Sequence, residues 1–391
     1  MDFDLSEDQE ALVGAATALL ESRAAIEQVR KVAEADAYNP GHIDRNLWAQ
    51  MAEQGWLAVE RPESSGGLGM GFVEVAVLGE QVGRHLAPVP FAGTVLALQA
   101  IASVSEAGST EPAGRSQLVE RLSSGEAIGA IAWTRRPDQV VAERSAGAEG
   151  GGAAEEGAES GWVLTGRPDP VVFGPVADVV IVPAEISGSP GSRELFLVEN
   201  PPETSRKSQP AMDLTRSLGW LELDATPASL LEGPGAFSSL ADRAAVAVSA
   251  EMLGAAQRVL DMTVQYAKDR VQFGRPIGSF QAVKHRCADM LVDVEGMRSA
   301  VYYAAWCIAA DSPDASSAAS AAKIWCSEAA ARVMASGLQV HGGIGFTWEH
   351  DMHLFVKRSQ LDQASFGDTS WHHDRLADML RALAEAGLPV M

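Results

Sequence analysis

Apolar residues recur at three- and four-residue steps over two long stretches of the chain. Ala245, Val248, Met252, Ala256, Val259, Met262 and Tyr266 mark the first, and Phe280, Val283, Cys287, Leu291, Val294, Met297 and Val301 mark the second. Such spacing gathers side chains on one helix face, so two long amphipathic helices are predicted. Between them, Gly274 and Pro276 are expected to stop the first helix and turn the chain back. The turn presents Arg270, Arg275, Gln272 and Phe273 at the end of a helical hairpin. Guanidinium groups fork onto phosphate oxygens and an aromatic ring covers a flat ligand. A second reading is a basic helix C-terminus that offsets the macrodipole.

Shorter patterns organise the remainder. Ser6-Glu7-Asp8-Gln9 is a capping box ahead of Leu12, Ala15, Ala16 and Leu19. Helices are predicted over about Asp44–Gln54, Phe72–Arg84 and Thr94–Leu122, and Ala87-Pro88-Val89-Pro90 ends the middle one. Arg61–Gly69 is glycine-rich but lacks the preceding strand and spacing of a phosphate loop, so it is assigned to turning the chain. From Gly125 the pattern changes. Ile128–Thr134, Trp162–Thr165, Val179–Val182, Glu194–Val198 and Leu221–Leu223 read as short strands of a small β-barrel or sandwich. Ser145–Ser160 is almost entirely Ala, Gly, Glu and Ser and reads as a loop that buries nothing. Helical patterns return from Ser238, with a third long helix over about Asp314–Ser336 and a fourth after Thr369, completing a bundle.

Composition narrows the function classes. The 391 residues exceed what one small core organises, and 47% apolar residues support globular folding. Lys and Arg number 30 against 52 Asp and Glu, and the resulting −22 argues against nucleic acid and anionic membrane surfaces. Cys287, Cys307 and Cys326 lie in helical patterns without metal spacing and read as core residues of a reducing compartment. The acidic N-terminus has no signal-peptide pattern, and no run reaches the ~18 apolar residues of a span. A soluble, cytoplasmic protein is expected. His341, His350, His353, His372 and His373 lack an i, i+4 pair with a third ligand, so no metal is expected.

The segment "DRVQFGRPIGSFQAVKHRCADM" resembles the acyl-CoA dehydrogenase family of flavoenzymes. So do "LWAQMAEQGWLAVERPESSGGLGMG", "GWVLTG" and "QVHGGIGFTWEHDMHLFVKRS". The resemblance covers nearly the whole chain. It implies an α+β fold with an N-terminal helical domain (1–124), a middle β-barrel or sandwich domain (125–237) and a C-terminal four-helix bundle (238–391). It implies FAD as cofactor, an acyl-CoA thioester as substrate and a trans-2-enoyl-CoA as product. Arg270 matches the pyrophosphate ligand, and Arg270 and Phe273 match residues that reach the FAD of a neighbouring subunit. Gln281 falls at a contact position. Gln339, Gly342 and Gly343 match the segment beneath the nucleotide of the neighbouring subunit; the same residues also read as a helix C-cap. Thr134 matches a residue that bonds the flavin ring. Thr369 matches one that bonds the diphosphate, and also reads as a helix N-cap.

Dehydrogenation requires a base for the α proton, a hydride acceptor at the β carbon and donors that polarise the thioester carbonyl. Two departures touch these parts. Many family members follow the Trp-Thr strand with Glu-Pro and then Gly-Ser-Asp, whereas here Arg135-Arg136-Pro137-Asp138 follow. The family's usual base is the glutamate of Tyr-Glu-Gly-Thr. Here the segment is Phe366-Gly367-Asp368-Thr369, and glycine abstracts no proton. An alternative family position for the base falls on Ala244. Glu251, two turns beyond Ala244, is the best remaining carboxylate: either a base with a raised pKa in apolar surroundings, or a residue bridging within the bundle. Asp368 ranks next. Two functions follow: an FAD-dependent acyl-CoA dehydrogenase acting on fatty or steroid-type acyl chains, or a non-catalytic subunit of an α2β2 dehydrogenase that completes its partner's flavin site. An oligomer of dehydrogenase chains and an electron-transfer flavoprotein are the partners that the resemblance implies.

Overall fold

The computed structural model describes residues 5–36, 43–106, 114–145, 161–233 and 235–387. Helices α1 (Glu7–Arg23), α2 (Ile26–Asp36), α3 (Arg45–Glu53), α4 (Phe72–Arg84), α5 (Phe91–Glu106) and α6 (Arg115–Ser123) come first. Strands β1 (Gly129–Ile131), β2 (Val140–Arg144), β3 (Trp162–Gly166), β4 (Val171–Val172), β5 (Val179–Ile186), β6 (Glu194–Glu199), β7 (Arg206–Ser208), β8 (Leu218–Leu221) and β9 (Leu223–Leu231) follow. Helix α7 (Ala236–Asp269), the two-residue strands β10 (Val271–Gln272) and β11 (Arg275–Pro276), and helices α8 (Gln281–Ala309), α9 (Ala315–His341), α10 (Met352–Ala364) and α11 (Thr369–Glu385) complete the chain. This is the expected α+β architecture of helices, strands, then helices.

The chain divides into two compact units. One comprises Met1–Lys31, Met70–Ala87 and Asp242–Met391, and the other Val32–Gly69 and Pro88–Ala241.

In the strand-bearing unit, β5 pairs with β2, β2 with β3, β3 with β9, β9 with β6, and β6 with β5 again. The ring closes, and β1 adds in parallel to β5. Closure removes the sheet edges. Alternate residues point inward, and Val140, Leu164, Val180, Val182, Phe196 and Val198 form a core in which Trp162 meets Phe196 edge-on at 5.5 Å. A separate three-stranded sheet runs β4-β8-β7. The first strand ends at Ile131, short of the expected Thr134: the Ile181 carbonyl takes the Ala132 N–H, and the Trp133 carbonyl then accepts from Asp169 at 2.9 Å. The expected low-complexity loop lies outside the described residues, apart from Ser145. Arg61–Gly69 does turn the chain, closed by Gly67 N–H to the Pro62 carbonyl at 3.1 Å and Gly69 N–H to that of Arg61 at 2.8 Å.

The helical unit is organised on α7. Ser6 caps α1 in the expected capping box with Gln9. Helix α4 crosses α7 so closely that a Cβ on Gly254 would collide with the Glu80 carbonyl, and one on Gly83 with that of Glu251. Two glycines therefore let two backbones touch. Alongside, Glu80 accepts from Arg298 Nη1 at 2.8 Å and Tyr302 Oη at 2.7 Å, and burial beside that carboxylate pushes the Tyr302 hydroxyl well above its usual range. Helix α9 packs on α8, α10 and α11. The bundle thus gains α10 between the third and fourth expected helices. Because the crossing leaves no room for a methyl group, Gly254→Ala should lower stability by about 1–3 kcal/mol or more, read as the midpoint of urea unfolding.

Candidate functional site

Helix α7 ends at Asp269, before the expected stop at Gly274. Residues 271–276 instead form a two-stranded hairpin in which Val271 faces Pro276 and Gln272 faces Arg275. Its two central residues, Phe273 (φ 52°) and Gly274 (φ 74°), are both left-handed, as a type I′ turn requires. Glycine takes that conformation freely, whereas phenylalanine is strained in it. Phe273 is nevertheless 92% exposed, so its own burial does not offset the strain. Arg275 lies over the Phe280 ring at 4.2 Å, and Phe273 meets that ring edge-on at 6.1 Å. Arg270 and Gln281 flank this tip, both exposed.

Helix α9 ends beside the same tip. The His341 ring stacks on Tyr266 at 4.5 Å, one turn before Arg270, and its Nδ1 donates to the Gly337 carbonyl at 2.8 Å. Gly342 follows with φ 63°, and its N–H bonds the Leu338 carbonyl. Above Gly342 and Gly343 nothing stands within 4 Å of an added Cβ, so their backbone is open to approach. Gln339 is exposed on the last turn of α9. The Tyr266–His341 stack therefore brings Arg270, Phe273, Gln281, Gln339, Gly342 and Gly343 to one end of the bundle. Arginine, an amide and open glycine N–H groups are the donor set that a diphosphate needs.

The remaining candidates lie elsewhere. Thr134 belongs to the strand-bearing unit, fully buried, its hydroxyl 3.5 Å from the Pro183 carbonyl. Beside it Trp133 stacks on Phe237 at 5.7 Å, and Arg193 lies over Phe237 and donates to the Arg135 carbonyl at 2.6 Å. Thr369 opens α11, whose N-cap is Asp368: its carboxylate accepts from the Trp371 N–H at 3.0 Å. This loop sits over Lys323, 16 residues before Gln339 on α9, hence ~24 Å away along the helix axis. Thr369 is thus not gathered with the Arg270 set.

Phe366 (φ 56°) and Gly367 (φ 91°) turn their carbonyls into the bundle. Lys323, fully buried, donates to the carbonyls of Gln363 at 2.9 Å and Gly367 at 3.0 Å, and desolvation lowers its pKa to about 8. His372 lies 3.1 Å from the Phe366 carbonyl through Nε2. A carbonyl only accepts, so Nε2 carries the proton and Nδ1 is left to accept from Ser320 Oγ at 3.4 Å. Burial first, then the Lys323 charge, lowers the His372 pKa to about 3.

Glu251 is 2% exposed, and its carboxylate lies 3.9 Å from the guanidinium of the fully buried Arg358. Asp362, one turn beyond Arg358, is also fully buried. Sequence reasoning gave no sign of the Arg358 partner: it stands 107 residues from Glu251, on the helix that the periodicity missed.

Helices, a closed strand ring and a helical bundle, with an exposed arginine hairpin between the long helices, define the class expected from the sequence. Family comparison agrees: residues 6–126 match the acyl-CoA dehydrogenase N-terminal domain and residues 232–380 the C-terminal domain. The chain is 36% identical over 357 residues to acyl-CoA dehydrogenase IpdE2 of Mycolicibacterium smegmatis, covering 91% of this chain and 93% of that protein. A solved variant of the Tcur3481–Tcur3483 steroid ACAD superposes with a TM-score of 0.85 at 30% identity, over 97% of this chain and 99% of that one. The ChsE4–ChsE5 complex of Mycobacterium tuberculosis gives 0.82 at 29%, over 98% and 99%. The chain belongs to the acyl-CoA dehydrogenase family.

Two outcomes follow. Glu251→Gln removes a buried carboxylate beside the Arg358 guanidinium and should lower stability by about 1–3 kcal/mol, read in urea unfolding. His372 binds its proton less readily folded than unfolded, so its contribution is complete above its unfolded pKa of 6.5 and is lost as pH falls towards about 3. Over that window it should add about 1.4 kcal/mol per pH unit to the acid-side slope of stability, and His372→Asn should remove that increment.

Proposed function

We propose that this chain is the non-catalytic subunit of a two-chain, FAD-dependent acyl-CoA dehydrogenase. Its Arg270 hairpin and the open glycines after α9 complete a flavin site seated in a partner chain. The observation that carries the reading is the split among its own candidates. The residues matched to a neighbour's cofactor stand exposed together at one bundle end. Of the other matched positions, Thr134 is fully buried, the base position holds Gly367, and Thr369 is half-buried at the start of α11, apart from the Arg270 set. Glu251, 3.9 Å from the Arg358 guanidinium, favours the bridging role over that of a base. The Tcur3481–Tcur3483 and ChsE4–ChsE5 neighbours are each named as a pair of chains.

In this reading the partner supplies the carboxylate that takes the α proton. FAD supplies the acceptor for the β hydride. From this chain, Arg270 would hold the diphosphate, Gln281, Gln339 and the N–H groups of Gly342 and Gly343 would add donors, and Phe273 would offer an aromatic cover. The product is a trans-2-enoyl-CoA, and an electron-transfer flavoprotein carries the electrons away. A steroid-type acyl chain is favoured by the likeness to the Tcur3481–Tcur3483 steroid ACAD.

The test compares two variants of this chain inside the two-chain complex. Arg270→Ala removes charge-assisted bonds to phosphate and should weaken FAD binding roughly 10- to 100-fold. Thr369→Val, at the other position matched to a diphosphate contact but outside the gathered Arg270 set, should leave binding unchanged. Equal losses from both variants would overturn the reading.

A further inference from the structure

Gly367 stands where the family places its base, and the structure shows more than a missing side chain there. Gly367 is buried with φ 91°, a conformation that L residues adopt only under strain. A Cβ built on it would lie 2.7 Å from Trp371 Cε3, 3.0 Å from Trp371 Cδ2 and 3.1 Å from His372 Nε2. The obstacle is therefore a rigid ring one helical turn ahead, not the flexible end of a chain. The ring is itself backed: Arg375 lies over it at 5.6 Å, and that arginine is tied to Asp242 of α7 and Ser320 of α9. Nor does the loop have freedom to swing aside, since Lys323 holds the Gly367 carbonyl and His372 that of Phe366 from below.

We propose that Trp371 bars any side chain from position 367, so that this subunit is committed to having no carboxylate there rather than being one substitution away from it. The inference deepens the partner-subunit reading and rests on it for its meaning. Its test needs neither flavin nor acyl-CoA, so the two fail separately.

The test is a double-mutant cycle on the full chain, read as melting temperature. Gly367→Ala in the wild-type background should lower Tm by roughly 5 °C or more, from the clash and the left-handed backbone together. In a Trp371→Ala background the same change should cost less than half as much, because only the backbone strain remains. Where Trp371→Ala does not fold, Trp371→Leu clears the same ring atoms and keeps an apolar cover. Equal losses in both backgrounds, or no loss in either, would overturn the proposal.

Discussion

The close crossing of α4 and α7 at Gly83 and Gly254 is the constraint on which the helical unit depends. It allows no side chain on either glycine, so it fixes which face of α7 looks inward. Glu251 lies within that crossing, its backbone carbonyl against Gly83 and its carboxylate towards Arg358. From Gly254 the helix runs 15 residues further to Asp269, ~22 Å, and Arg270 then leads into the exposed hairpin. One helix thus carries a buried carboxylate at one level and an exposed guanidinium at another.

The distribution of charge follows the same logic. Despite a net charge of −22, buried carboxylates of the helical unit face cations: Glu80 meets Arg298, Asp242 meets Arg375 and Glu251 meets Arg358. Removing one member of such a pair strands the other in a medium that solvates it poorly. Lys323 is accommodated differently, by loop carbonyls and the nearby charge of Asp362.

Much of this was legible in the sequence. Helices α1, α3, α4, α7 and α8 follow from apolar spacing and local caps, since those signals live within a few residues. Helix α10 was not legible, because its buried face includes Arg358, Ser359 and Asp362 and breaks the apolar period. The predicted helix over Thr94–Leu122 is two helices, α5 starting at Phe91 directly after Pro90 and α6 starting after Gly114. Strand β2 is short and borders the low-complexity stretch, and ring closure depends on pairings that span dozens of residues. The exposed Arg270 set was readable as a motif. Its gathering at one end was not, because it rests on Tyr266 meeting His341 across 75 residues. The crowding of Gly367 depends on a backbone angle that composition does not reveal.

We propose that this chain holds no working base of its own. Single-turnover reduction of flavin under anaerobic conditions tests it most directly, with a panel of fatty and steroid-type acyl-CoA thioesters added to the purified chain supplied with FAD. The account predicts no loss of visible flavin absorbance from the chain alone, and full reduction once a partner chain bearing the glutamate is added. Reduction by the chain alone, abolished by Glu251→Gln, would contradict it.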